Sequence, residues 1–140
     1  MNILHVKDVK HISDLVRLDD DIEDFIVGDR GEWIQWLTEN IRSKNEKILL
    51  LHFYEGTHLI GYMVLIDGRQ RPISDCLYIL FVYSKATPTK NQEMWFELLE
   101  WIKSNHLPLE VKACTKYPSL MKQYGFTEDL ELTPIKMKIT

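Results

Sequence analysis

The feature that most constrains the fold is a strand-like run followed by a polar loop, an amphipathic helix pattern and a second strand-like run. The two apolar runs are residues 75–83 and 109–114. Between them, apolar residues recur at the spacing of one helix face, at Trp95, Leu98, Leu99 and Ile102. A strand, a helix and a strand in this order predict a right-handed crossover that joins two parallel neighbours in one sheet.

Two more strand-like runs, residues 47–54 and 59–66, precede this unit, and short loops join them. Consecutive strands with short connections pair antiparallel. Gly61 lies inside the second run, where a glycine indicates a bulge or a close backbone approach. A short apolar run at residues 3–6 predicts a further strand at the start of the chain.

Capping signals predict where the helices begin. Asp8 precedes an apolar stripe of helical period, and Asp29 stands three residues before Glu32, the spacing of a capping box. The second helix should run to about residue 43. Thr89 and Gln92 have the same spacing and predict the start of the crossover helix.

Together these elements predict an α/β (α+β) fold. We expect a single domain over residues 1–140, with a mixed sheet of antiparallel strands, the crossover, and helices on both faces. No apolar run is long enough to cross a membrane, and the N-terminus lacks the apolar core of a signal peptide. The two cysteines, Cys76 and Cys114, lie in apolar strand-like runs, which indicates a reducing compartment and predicts a cytoplasmic protein.

Charge and composition exclude several classes of function. A net charge of −4 without a basic stripe argues against binding to nucleic acid. The five histidines do not have the spacing of metal ligands, so we expect no metal. Large aromatic side chains, among them Trp33, Trp36 and Trp101, are abundant for a small monomer, which is consistent with a homodimer that has some of them at its interface.

The segment from Leu120 to Phe126, which includes Gly125, resembles the closing segment of the GCN5-related N-acetyltransferase family. The order of predicted elements also resembles that family over nearly the whole chain. The resemblance implies an enzyme that uses acetyl-CoA to acetylate an amine of a small molecule or a peptide.

By the same resemblance, acetyl-CoA would lie along the end of the third antiparallel strand and over the loop that opens the crossover helix. Backbone N–H groups of that loop would hold the pyrophosphate. The family's loop glycines, however, fall on Lys90 and Gln92 here. The residues implied in cofactor binding are Phe81, Val82, Tyr83, Thr87, Thr89, Lys90 and Asn91.

The candidate catalytic residues are Tyr78 and Tyr124. By the resemblance, the strand that carries Tyr78 would expose a backbone N–H to the thioester carbonyl, and Asp75 at the start of that strand is an alternative base. Tyr124 precedes the closing glycine, and Tyr117 is an alternative to it. The family's usual tyrosine, which protonates the departing thiolate, falls on Met121, and a thioether donates no proton. Because the sequence departs from the family pattern at these positions, an alternative stays open, namely a catalytically silent domain of the same fold that serves as a binding module.

Overall fold

The computed structural model describes residues 1–19, 29–70, 76–108, 110–113, 122 and 125–127. These residues include the strands β1 Asn2–His5, β2 Ile48–Glu55, β3 His58–Asp67, β4 Leu77–Ser84 and β5 Val111–Ala113. The strands form one mixed sheet in the order β1-β2-β3-β4-β5. β1 to β4 pair antiparallel, and β4 pairs with β5 in parallel, as the crossover predicts.

Among the described residues, three α-helices accompany the sheet: α1 Ile12–Asp19, α2 Arg30–Arg42 and α3 Pro88–Ser104. The first two predicted caps are confirmed. The Asp8 carboxylate accepts a hydrogen bond from the N–H of Lys10 in a 3₁₀ turn that leads into α1. Asp29 accepts one from the N–H of Glu32 at 3.0 Å, which satisfies an orphan donor of α2.

The predicted capping box at the start of α3 is wrong. Thr87, rather than Thr89, is the N-cap, and its Oγ1 accepts a hydrogen bond from the N–H of Lys90. Pro88 is the first helical residue. A proline suits that position because its φ is already helical and the N–H it lacks has no partner within the helix.

The sheet separates two apolar clusters. One lies against α3, and the other lies against α1 and α2, so helices cover both faces as the sequence predicts. Leu51, Phe53 and Met63 belong to the α3 side, whereas Leu50 and Tyr62 belong to the opposite side. The change of side between neighbouring residues is the period-two alternation of a strand that is buried on both faces.

The described part of the closing segment packs against α3. Gly125 has a φ of +93°, and its N–H donates to the carbonyl oxygen of Lys122, as expected for a left-handed glycine cap. The ring of Phe126 packs edge to face against that of Trp95, with 5.3 Å between the ring centroids. Leu120 and Tyr124 lie outside the described residues. No described helix combines the length and apolar character that a membrane span requires.

Candidate active site

β4 and β5 stay paired over only a short stretch. Leu77, Tyr78 and Ile79 of β4 face Val111, Lys112 and Ala113 of β5. Past Ala113, the described residues include no strand beside residues 80–84 of β4, and we call this stretch the open edge. A strand that continues past its neighbour can accept an extended ligand as an added strand.

A β-bulge lies where the open edge begins. In the pairing with β3, Phe81 faces Val64 and Ile79 faces Leu65, so Leu80 has no opposite residue. A bulge of this kind re-aims the side chains that follow it. Here it reverses the alternation: Ile79 packs on the α3 side, but Phe81 packs on the side of α1 and α2.

The bulge separates the three β4 residues that the resemblance implied in cofactor binding. Val82 pairs with Met63 of the α3-side cluster and is 37% exposed. Phe81 and Tyr83 instead pack on the opposite face, where the Phe81 ring lies 5.3 Å from that of Tyr62. Val82 is thus the one of the three that presents its side chain on the α3 side of the open edge.

Most backbone donors of the loop before α3 are engaged within the protein. The N–H of Lys85 donates to the carbonyl oxygen of Ile60, and that of Ala86 donates to Ser84 Oγ. Among the described residues of this segment, the N–H groups of Thr87 and Thr89 have no protein acceptor. A phosphate placed here would therefore meet few free backbone donors.

The side chains of Lys90 and Asn91 are also engaged. Lys90 Nζ lies 3.1 Å from Glu55 Oε1 and 3.1 Å from Glu93 Oε2. Hydrogen bonds to Glu93 and Glu55 raise the pKa of Lys90 above its ordinary value. Asn91 Oδ1 accepts a hydrogen bond from the hydroxyl of Ser84 at 2.6 Å. Two of the predicted cofactor-binding side chains thus have partners inside the protein.

Tyr78 lies just before the bulge, on the opposite side of β4 from its neighbour Leu77, which belongs to the α3-side cluster. Its side chain is 36% exposed. The strand brings Tyr78 to the start of the open edge, within two residues of Leu80. The second candidate catalytic residue, Tyr124, lies outside the described residues, so no distance joins the two hydroxyls.

A partly buried group of hydrogen-bonded polar side chains on the α1 side was not predicted from the sequence. Tyr54 donates a hydrogen bond to Asp14 Oδ2 at 3.1 Å, and its hydroxyl lies 3.4 Å from Nδ1 of His52. His52 is fully buried, and its Nε2 has no partner among the described residues. The signal available in the sequence was a histidine inside an otherwise apolar strand.

Burial controls the protonation of these polar side chains. It lowers the pKa of His52 to about 4, an effect that His11 reinforces and Asp14 opposes. It also raises the pKa of Tyr54 to about 12, with help from the hydrogen bond to Asp14.

Tyr54 and Asp14 line a cleft of about 190 Å³ that Lys85, just after β4, also lines. In the described part of the chain, no three metal-ligating side chains are grouped to hold an ion.

The sequence matches no protein-family model, and no curated protein matches it. Solved structures match its fold over the full length. A probable acetyltransferase superposes with a TM-score of 0.74 and 15% identity, covering 100% of this chain and 99% of that one. The chain has the GCN5-related N-acetyltransferase fold.

Two further acetyltransferase-fold neighbours carry ligands. A predicted acetyltransferase with acetyl-CoA from Clostridium acetobutylicum matches with a TM-score of 0.61 and 15% identity, covering 96% of this chain and 95% of that one. AAC(6')-Iy, in complex with the bisubstrate analogue CoA-S-monomethyl-acetylneamine, matches with a TM-score of 0.68 and 10% identity. That match covers 99% of this chain and 98% of AAC(6')-Iy. At these identities the likeness establishes the fold.

Proposed function

We propose that this protein is an acyl-CoA-dependent N-acetyltransferase whose acceptor is an amine of a small molecule. The observation that carries the proposal is the bulge at Leu80 in β4, the strand that leads directly to the N-terminus of α3. Neighbours of the same fold bind acetyl-CoA and a CoA-linked analogue of an acetylated amine, which supports this choice.

The residues at the edge suit the pantetheine part of acetyl-CoA. Pantetheine carries amides that can pair with a strand edge, and we expect β4 to supply such an edge past the described end of β5. Leu80 and Val82 add apolar contact, because their side chains are 43% and 37% exposed. Beyond the strand, the N–H groups of Thr87 and Thr89 are the donors left for phosphate, so we expect the phosphates to contribute little to affinity.

Acetyl transfer to an amine requires little chemistry from the protein. A neutral amine attacks the thioester carbonyl, and the site must orient the two, stabilise negative charge on the carbonyl oxygen and accept a proton. A backbone N–H at the bulge is our candidate for the donor that stabilises negative charge on the carbonyl oxygen. Tyr78 is the candidate for proton transfer on the strand, and Tyr124 remains a second proposal for protonating the thiolate.

A peptide amine remains an alternative acceptor, and cytoplasmic location and a homodimer remain predictions. A dimer would cover some of the exposed aromatic surface, which includes Trp36 and Phe96. Sedimentation at micromolar protein concentration tests it, and a monomer throughout would contradict it.

Binding of acetyl-CoA, measured by thermal unfolding and calorimetry, is the first test. At a hundredfold excess over Kd, acetyl-CoA should stabilise the protein by about 2.7 kcal/mol, which for this size raises Tm by several degrees. Val82→Lys should abolish that shift because it places a charge on the apolar edge. Val9→Lys is the matched control, because Val9 is similarly exposed but lies before α1. No shift in the wild type would contradict the proposal.

A second candidate function is a binding module without catalysis. The specific observation in its favour is that Lys90, Asn91 and the loop donors already have partners within the protein. Thiol release from acetyl-CoA in the presence of a panel of amines separates the two functions. Release above the hydrolysis background supports the transferase, whereas binding without release supports the module.

A further inference from the structure

A large open cavity lies at the opposite side of the sheet from β5. Its volume is about 620 Å³, within the range of small-molecule sites. It is bounded by the end of β1, the start of β2 and the C-terminal half of α2. Its lining is mainly apolar, and Ile41 and Ile48 are the apolar lining residues that are partly exposed. The other apolar lining residues are buried, namely Val6, Leu37 and Leu50, and the uncharged polar side chains of the lining belong to His5, Asn40 and Asn45.

The cavity exists because α2 packs closely only through its first half. Trp33, Leu37 and Ile41 recur at four-residue intervals along one face, and the first two are buried whereas Ile41 is only half-buried. Two hydrogen bonds fix the turn after the helix. The side-chain amide of Asn45 donates to Asn40 Oδ1, and the backbone N–H of Asn45 donates to the backbone carbonyl oxygen of Asn40. The opening is therefore preformed by the backbone.

The charges at the opening are mainly positive. Lys7 and Lys44 line it, and Glu46 is the carboxylate that lines it with them. Within the described part of the chain, neither lysine forms an ion pair. An apolar chamber with two exposed ammonium groups at its mouth is complementary to a molecule with an aliphatic body and one anionic end.

We propose that this cavity binds a small aliphatic carboxylate, with its chain against Ile41 and Ile48 and its carboxylate between Lys7 and Lys44. The site lies at the other edge of the sheet from the β4 bulge and does not depend on the acetyltransferase proposal. An alkylamine of equal length is the wrong partner for the mouth, because it would place a cation beside two others.

The experiment compares octanoate with octan-1-ol and octylamine by isothermal titration calorimetry. We expect octanoate to bind at one saturable site, more tightly than either of the other two probes. The double variant Lys7→Gln with Lys44→Gln should bind octanoate about tenfold more weakly than the wild type and should bind octan-1-ol with unchanged affinity. The matched control is Lys10→Gln with Lys103→Gln, which removes the same charge from exposed positions outside the cavity. The proposal is overturned if octanoate does not bind, or if it binds the Lys7→Gln, Lys44→Gln variant with the same affinity as the wild type.

A second variant tests the chamber itself. Ile41→Trp should fill it and abolish the binding of both octanoate and octan-1-ol, provided that circular dichroism shows a native fold. If that variant does not fold, methyl chemical shifts of the wild type give the answer. Octanoate should perturb the methyl groups of Ile41 and Ile48, and perturbations confined to α3 would overturn the proposal. A crystal structure with the chamber filled by protein from the same or another copy would also overturn it.

Discussion

A Cβ atom placed on Gly61 would lie 2.6 Å from the backbone carbonyl oxygen of Tyr83, which lies on the neighbouring strand next to Ser84, the residue opposite Gly61. It would also lie 3.0 Å from Met94 Cε. The prediction of a close backbone approach at Gly61 is therefore confirmed. The contact matters for the site because it sets how closely the last residues of β4 approach β3, just before the loop that leads into α3.

Gly61→Ala should destabilise the protein and disturb this end of β4. A methyl group at 2.6 Å from a carbonyl oxygen forces the two strands apart, and we expect a loss of about 1–3 kcal/mol in the free energy of unfolding. Gly56→Ala is the control, because nothing lies within 4 Å of its Cβ position and only its positive φ opposes the change. Urea denaturation compares them, and equal stability of Gly61→Ala and wild type would contradict the prediction.

The pairing of Lys90 with Glu55 and Glu93 should limit the affinity for acetyl-CoA. Glu55→Gln with Glu93→Gln would release the ammonium group towards the phosphates, and we expect binding to tighten about threefold or more. The control is Glu97→Gln with Glu100→Gln, which removes equal charge farther along α3. Calorimetry at low salt measures both. If the two double variants bind alike, Lys90 does not reach the phosphates and only net charge matters.

His52 should make stability depend on pH below neutrality. Its pKa is about 4 in the folded protein and near 6.5 when unfolded, so the unfolded chain takes up the proton first. The stabilisation is complete above about pH 6.5 and is lost as the pH falls towards 4, by roughly 3 kcal/mol at most.

Replacing His52 by glutamine should flatten the dependence in that window, whereas His58→Gln should not, because His58 is exposed. Unfolding free energies measured between pH 4 and 7 for the three proteins give the comparison. Parallel curves for His52→Gln and wild type would show that burial does not depress the pKa of this imidazole.

Tyr78→Phe tests the proposed proton transfer. We expect the rate of acetyl transfer to fall about 100-fold, while the Kd for acetyl-CoA stays the same, because the hydroxyl acts on the reaction and not on binding. Tyr54→Phe removes a hydroxyl from a different strand, β2, and should keep the rate within a few-fold of wild type. An unchanged rate in Tyr78→Phe would exclude Tyr78 as the catalytic group.

Local sequence patterns predicted the elements and their order. The period of Trp95, Leu98 and Ile102 identified the crossover helix, and the strand runs on either side of it required β4 and β5 to be parallel. Asp8 and Asp29 marked helix starts because a cap acts within three residues of itself. Pro88 marks the correct start of α3, because proline is favoured at the first helical position, whereas the Thr89–Gln92 spacing indicates a start two residues too late.

The contents of the candidate site were decided only by the tertiary structure. The unpaired Leu80 depends on how β4 aligns with β3, and that alignment moves Phe81 to the face opposite Val82. Lys90 meets Glu55 across 35 positions of sequence, and no local pattern reports such a contact. A sequence alone thus determined which segments form strands and helices, because those preferences are local, whereas register and long-range pairing determined which groups remain free to bind a ligand.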